Sequence, residues 1–332
     1  MSASNINLPP LSLAEQLEKA RIEFPRDKEL DEQLTWLTSR LFNRRDLQKP
    51  YGHNNRAPQH ALVVSGATGA GKTTTLERAI REREPTLIDP DGNCLKVLSA
   101  PLPSPFSAKE FARQLLNMMG TTTTGKLNEP QMWEMVSHHL RENRIGLVHF
   151  DEIQRFTTVK TIGRADRSVA ADRFSATINE LISHPAWPVA LVVSGTEETV
   201  PLWNSKNMDQ VRRRSRFVIF EQMTPHYYPA LEASLRHYAT KANLAFDINV
   251  NDLGQRISLA GEKTVGMALE ICREAVLLAA QEQAPAVTLK QLGRVYAARN
   301  GSPADENPFY VAYVGKLDLR EKRDIAELDQ AR

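Results

Sequence analysis

Residues 66–73 read Gly66-Ala67-Thr68-Gly69-Ala70-Gly71-Lys72-Thr73, and the four residues before them are apolar but for one serine. Glycines at this spacing let successive backbone N–H groups turn inward and approach the oxygens of a phosphate closely. Lys72 then reaches the β- and γ-phosphates, and Thr73 offers its hydroxyl to Mg²⁺. The expected nucleotide contacts are Gly66, Ala67, Thr68, Gly69, Ala70, Gly71, Lys72, Thr73 and Thr74. A helix over 73–83 directs the positive end of its dipole at the same anion.

A second group of residues complements the first. Leu147-Val148-His149-Phe150-Asp151-Glu152 is an apolar run that ends in two acids. A strand ending this way sets Asp151 beside Thr73 as a Mg²⁺ ligand, and Glu152 as the general base that polarises an attacking water. An Asp-Glu pair also suits a helix N-terminus, but the phosphate loop upstream favours hydrolysis. ATP and Mg²⁺ are therefore the expected substrate and metal, with Lys72 and Glu152 carrying the chemistry. A further strand ends Val192-Val193-Ser194-Gly195-Thr196. A polar residue at this tip can bond the attacking water or the γ-phosphate; Thr196 is the first choice and Ser194 the reserve.

Arg212, Arg213, Arg214 and Arg216 crowd the approach to one more strand. Three readings stay open for them. Arg213 or Arg216 could cross a subunit interface to a neighbour's γ-phosphate, the cluster could meet a DNA backbone, or it could be a solvated basic face.

Elements that position these residues can be read from periodicity. Strands are expected at 61–65, 94–100, 145–152, 188–198 and 217–220, alternating with helices at 73–83, 107–119, 131–142 and 174–183. Strands that are apolar throughout and separated by helices indicate an α/β fold, a parallel sheet covered on both faces. Before it, Ser12-x-x-Glu15 reads as a capping box. A helix over 28–43 carries Leu30, Leu34, Leu37 and Leu41 on one face. From about residue 225 the pattern is all-α, with helices at 229–242, 251–260, 265–281 and 289–299. The expected domains are an N-terminal helical extension (1–50), a nucleotide-binding α/β domain (51–224), a helical lid (225–300) and a C-terminal tail (301–332).

Composition limits the setting. The net charge of +2 is too small to announce a nucleic-acid binder, so a DNA surface would be a local patch. Two cysteines, Cys94 and Cys272, sit in no metal-ligand spacing and imply a reducing compartment. No apolar run approaches the ~20 residues that cross a bilayer, and the N-terminus lacks a secretory pattern. The expectation is a cytoplasmic protein with no membrane partner.

The order of these parts resembles an AAA+ P-loop ATPase: phosphate loop, strand ending Asp-Glu, strand bearing Ser-Gly-Thr, arginine cluster, helical lid. Within that class, VVSGTEE (192–198), RRRSRF (212–217), the turn at Met223-Thr224-Pro225 and the lid stretch GEKTVGMALEICREA (261–275) resemble the TniB/TnsC transposition regulators. These are ATPases of CRISPR-associated and related transposons, and the resemblance covers about residues 30–298. It implies ATP-dependent assembly of rings or helical filaments, of hexameric or heptameric repeat, around double-stranded DNA. It also implies partners: a transposase and a target-selection protein of the TniQ type. The lid turn at Thr264-Val265-Gly266-Met267 lacks the arginine that many AAA+ lids carry, which implies slow hydrolysis and a nucleotide that acts partly as an assembly signal. Lys109, Arg113, Lys126, Arg155, Lys160 and Arg164 are candidate DNA-backbone contacts, since such contacts need cations and no base-reading residues. The competing readings are an AAA+ ATPase with other cargo, of helicase-loader or secretion type, and a signalling NTPase that uses nucleotide as a switch.

Overall fold

The computed structural model describes residues 11–317, apart from 21, 53, 105, 124–126 and 157–163; for 156, 164–173, 207 and 316 it describes the backbone alone. In chain order the described elements are α1 (Leu13–Lys19), α2 (Pro25–Thr38), β1 (Ala61–Gly66), α3 (Lys72–Arg83), β2 (Lys96–Pro101), α4 (Ala108–Met118), α5 (Glu129–Glu142) and β3 (Ile145–Asp151). There follow α6 (Arg164–Ser183), β4 (Ala190–Gly195), α7 (Thr199–Trp203), α8 (Asp209–Arg212), β5 (Ser215–Phe220), α9 (Tyr228–Lys241), β6 (Ala245–Phe246), α10 (Leu253–Ala260), α11 (Val265–Gln281), β7 (Ala286–Val287) and α12 (Leu289–Asn300). They form two units: Pro25–Glu221, and the described parts of 1–24 together with those of 222–332.

In the first unit five parallel strands lie in the order β2-β3-β4-β1-β5. Every residue of β1, β3 and β4 is buried, which is why these segments read as unbroken apolar runs. The edge strands β2 and β5 each carry exposed residues between buried ones. Two adjacent central strands have the same sequence: β1 and β4 are both Ala-Leu-Val-Val-Ser-Gly. They pair with a one-residue stagger, Ala61 beside Leu191 and Ser65 beside Gly195. Because side chains alternate along a strand, this stagger turns Ser65 and Ser194 to opposite faces of the sheet. All five strands run the same way, so β1, β3 and β4 end together at one edge, which is where ligands of open α/β sheets bind. Helix α2 starts at Pro25, earlier than the leucine spacing alone places it, with proline favoured in a first turn. Its Leu30, Leu34 and Leu37 are buried in the core of this unit, as is Leu41 just beyond it.

The second unit is helical. Ser12 and Glu15 form the capping box of α1, and Leu17 and Phe24 join the core of α9–α12 with Leu235, Tyr238, Ile257, Ile271 and Leu292. The expected N-terminal extension thus divides, α1 with the helical unit and α2 with the sheet. Residues 303–314, expected in a C-terminal tail, pack on the helices instead. Asn307 is buried and donates from Nδ2 to the Gly293 carbonyl at 2.7 Å. The guanidinium of Arg256, 4% exposed, donates to the carbonyls of Pro308 at 2.6 Å and Val311 at 2.8 Å. Phe309 is buried against Tyr296. The remainder of that expected tail, from 318, lies outside the described residues. A two-residue parallel pair, β6 with β7, also went unread; it is too short to show a period. Among the described residues no helix is long and apolar enough to cross a membrane.

Candidate functional site

The phosphate loop joins β1 to α3. Gly69 and Gly71 have φ of 77° and 85°, a left-handed backbone that only glycine adopts without strain. Gly66 is required for space: a Cβ there would lie 2.6 Å from the carbonyl oxygen of Phe220 on the adjoining strand. Gly71 is the N-cap of α3 and carries no capping side chain, so the first-turn N–H groups of a twelve-residue helix face the loop. Lys72 is 9% exposed and folds back on the loop, donating from Nζ to the carbonyls of Gly66 at 2.8 Å and Ala67 at 2.9 Å. Burial lowers its pKa; the charges of Asp151 and Glu152 oppose that shift.

At the end of β3, Asp151 gathers both halves of the expected metal site. Its Oδ2 accepts from Thr73 Oγ1 at 2.8 Å. Its Oδ1 accepts from the Glu152 backbone N–H at 2.8 Å and from the Ser194 hydroxyl. The polar tip of β4 therefore meets Asp151 through Ser194. Thr196 acts through its backbone, its N–H donating to Gln154 Oε1 at 3.1 Å and its carbonyl accepting from Ser65 Oγ at 2.9 Å. The Thr196 hydroxyl has no hydrogen bond among the described residues.

Glu152 sits in a left-handed conformation at φ 59°, a strained position of the kind found where geometry is set by function. Its carboxylate is held from one side: Gln154 Nε2 donates to Oε2 at 2.9 Å, and Arg155 Nε lies 3.6 Å away. Gln154 thus ties the expected general base to the β4 tip, a link that no local residue pattern signals. Gly195 makes room for it, since a Cβ there would lie 2.6 Å from Gln154 Oε1. A second unread residue is His149, wholly buried between Ser99 and Ser194. Its signal was present: a polar residue inside an apolar strand, two positions before Asp151 and so on the same face.

The remaining candidates separate. Arg213 and the carbonyl of Arg214 lie where β5 begins, since Ala61 N–H donates to that carbonyl, at the opposite end of β1 from Lys72. Arg212 donates to Asn204 Oδ1 at 3.5 Å and Arg214 to Ser183 Oγ at 2.7 Å. Arg216 lies over the Trp36 ring at 4.2 Å and donates to Gln33 Oε1 at 3.1 Å. Arg213 is exposed, and its side chain has no partner among the described residues. Of the DNA candidates, Lys109 is half-buried, Arg113 pairs with Glu110 at 2.6 Å, and Arg155 is engaged by Glu152 and by the Leu102 carbonyl at 2.8 Å. Lys126, Lys160 and the side chain of Arg164 lie outside the described residues. A groove of about 700 Å³ between α5 and α6, lined by Trp133, Glu134, His138, Glu180 and His184, contains none of the phosphate-loop residues.

Residues 56–199 match the AAA domain family. The ORC1 protein of Aeropyrum pernix, solved in complex with DNA, has a similar structure: 17% identity, TM-score 0.59, with 87% of this chain and 69% of that chain covered. Cdc6p of Pyrobaculum aerophilum superimposes with a TM-score of 0.60 at 14% identity, covering 88% of this chain and 75% of that one. Drosophila ORC bound to DNA gives 0.52 at 15% identity, covering 92% and 71%. No curated protein sequence matches the chain. At these identities the likeness is one of fold: a parallel sheet flanked by helices, followed by a helical C-terminal part, in the AAA+ architecture.

Proposed function

We propose that this chain binds ATP with Mg²⁺ and hydrolyses it slowly, and that nucleotide state controls its assembly on double-stranded DNA. The observation that supports this most is the joining of Thr73, Asp151 and Ser194 beside the buried ammonium of Lys72. These residues fit the implied groups. The loop between Gly66 and Gly71 is a glycine-dependent cradle of backbone donors, and Thr73 with Asp151 forms the hydroxyl–carboxylate pair that holds Mg²⁺ in such loops. Mg²⁺ when bound neutralises charge on the phosphate oxygens.

The chain's own residues supply the rest. Lys72 exchanges the Gly66 and Ala67 carbonyls for phosphate oxygens. Asp151 is oriented by the hydroxyls of Thr73 and Ser194. Glu152, released from Gln154 and Arg155, accepts the proton of the attacking water as ADP leaves. Arg213 is offered away from its own phosphate loop, so in this reading it completes the site of a neighbouring subunit. Arg216, stacked on Trp36, is a weaker choice for that role.

The finer reading, a transposition regulator of the TniB/TnsC type that links a TniQ-type target-selection protein to a transposase, draws on the Ser-Gly-Thr tip, the RRRSRF run and the lid turn without arginine. The fold likeness to ORC and Cdc6 proteins favours a second reading, an initiator-like DNA binder without transposition partners. Electron microscopy of the full chain with duplex DNA decides the core of the proposal. Ordered rings or filaments with ATP or a non-hydrolysable analogue, absent with ADP and absent for Lys72→Ala, are expected. Nucleotide-independent assembly, or unchanged assembly by Lys72→Ala, refutes it. Addition of purified TniQ-type protein and transposase separates the two readings by whether either joins the assembly.

A further inference from the structure

Ser99 on β2, His149 and Asp151 on β3, and Ser194 on β4 lie on one face of the sheet, because Ser99 pairs with His149 and His149 with Val192, two residues before Ser194. They form one hydrogen-bonded chain. Ser99 Oγ lies 2.8 Å from His149 Nδ1, His149 Nε2 lies 2.8 Å from Ser194 Oγ, and Ser194 Oγ bonds Asp151 Oδ1. The ring is wholly buried.

Donor and acceptor roles follow from one end. Both carboxylate oxygens of Asp151 accept, so Ser194 gives Oδ1 the one hydroxyl proton that it has. Ser194 must then accept from His149, which puts the imidazole proton on Nε2. Nδ1 is left as an acceptor, and Ser99 donates to it. A phenylalanine or leucine would fill the same space without the desolvation cost of an imidazole, so packing alone does not account for histidine here.

We propose that His149 is a positioning residue of the nucleotide site: donating from Nε2, it turns the Ser194 hydroxyl onto Asp151 and so fixes the carboxylate that also holds Thr73. The chain begins at Ser99, an exposed residue on the edge strand β2, so the orientation of Asp151 is tied to the outer rim of the sheet. This rests on the reading of Asp151 as the Mg²⁺ carboxylate. Partners one bond removed from a metal ligand change metal affinity by roughly 10–100-fold when they are removed.

The full-length protein with ¹⁵N-labelled histidine, near neutral pH, reports the tautomer directly by long-range ¹H–¹⁵N correlation. The His149 signals are identified by their loss in His149→Gln. A protonated Nε2 with an unprotonated Nδ1 is expected; the Nδ1-protonated form, or an imidazolium, overturns the proposal. This measurement needs no nucleotide, so it decides even if the ATP reading fails, and that reading fails separately if wild-type protein does not bind a fluorescent ATP analogue. In Mg²⁺ titrations of analogue binding, Ser194→Ala and His149→Phe should each raise the half-saturating Mg²⁺ about tenfold or more. The double variant should be no worse than the poorer single one. His149→Gln, whose amide can donate from the Nε2 position, should recover most of the loss. Effects that multiply in the double variant, or an unchanged Mg²⁺ requirement in His149→Phe, would mean that the ring does not act through Ser194.

Discussion

Adding one methyl group at Gly195 should damage the site and the fold together, by an amount the structure sets. A Cβ at this position would stand 2.4 Å from Thr199 Oγ1, 2.6 Å from Gln154 Oε1 and 2.7 Å from Ile153 Cγ2. Thr199 and Ile153 are wholly buried and can yield only by displacing packed neighbours. Gln154 can yield by swinging its amide away, at the cost of its bonds with Thr196 N–H and with the Glu152 carboxylate. Overpacking a filled site costs about 1–3 kcal/mol, and each lost hydrogen bond about 1 kcal/mol. Gly195→Ala should therefore destabilise the α/β unit by roughly 2–4 kcal/mol, which in a unit of this size lowers Tm by about 5–15 °C. All four tryptophans (36, 133, 187 and 203) lie between Pro25 and Glu221, so fluorescence-detected melting reports that unit alone. Gly52→Ala is the control: a Cβ there meets nothing within 4 Å. Its effect should stay within about 1 kcal/mol. A Gly195→Ala melt within about 1 °C of wild type would refute the close packing of Gln154 under the β4 tip.

Further outcomes are expected. Glu152→Gln should retain ATP binding and lose phosphate release, leaving the DNA-bound assembly trapped; undiminished release would remove Glu152 as the base. Arg213→Ala should lower hydrolysis in the assembled protein and leave nucleotide affinity of the dilute monomer unchanged, so a loss in the monomer contradicts a role across the interface. Cys272 is wholly buried with its thiol pKa raised to about 12, while Cys94 is exposed; a thiol reagent should label one cysteine in native protein and both after denaturation. For His149, the folded pKa near 4 lies below the 6.5 of a free histidine. Stability is thus unaffected above about 6.5 and falls as pH drops toward 4, by up to about 3 kcal/mol. His149→Gln should flatten this loss between about pH 7 and 5, and equal slopes in denaturant titrations would refute it.

Much of the fold was legible because its signals are local. The buried strands are continuous apolar runs, the cap at Ser12 is set within four residues, and the phosphate loop announces its own glycines. What was not legible depends on partners far along the chain. Residues 303–314 look polar and mixed, yet Arg256, about fifty positions earlier, gathers their carbonyls into the helical unit. Arg216 reads as one of four equal arginines until Trp36 and Gln33 are found beneath it. Arg155 reads as a surface cation until Glu152 and the Leu102 carbonyl engage it.

The two copies of Ala-Leu-Val-Val-Ser-Gly show where sequence reasoning about the site must stop. Ser65 and Ser194 have the same five neighbours, the same strand position and the same burial, so no local rule separates them. The one-residue stagger between β1 and β4 does so, since a shift of one residue exchanges the two faces of a strand. One serine is thereby set against the Thr196 carbonyl and the other against Asp151 and His149. At the β4 tip both Ser194 and Thr196 are polar, and nothing in VVSGT itself decides between them. Within the protein, Asp151 is reached from Ser194, whose side chain points to its face. Register is fixed by the whole sheet, and in this chain it is register that assigns chemistry to one serine of an identical pair.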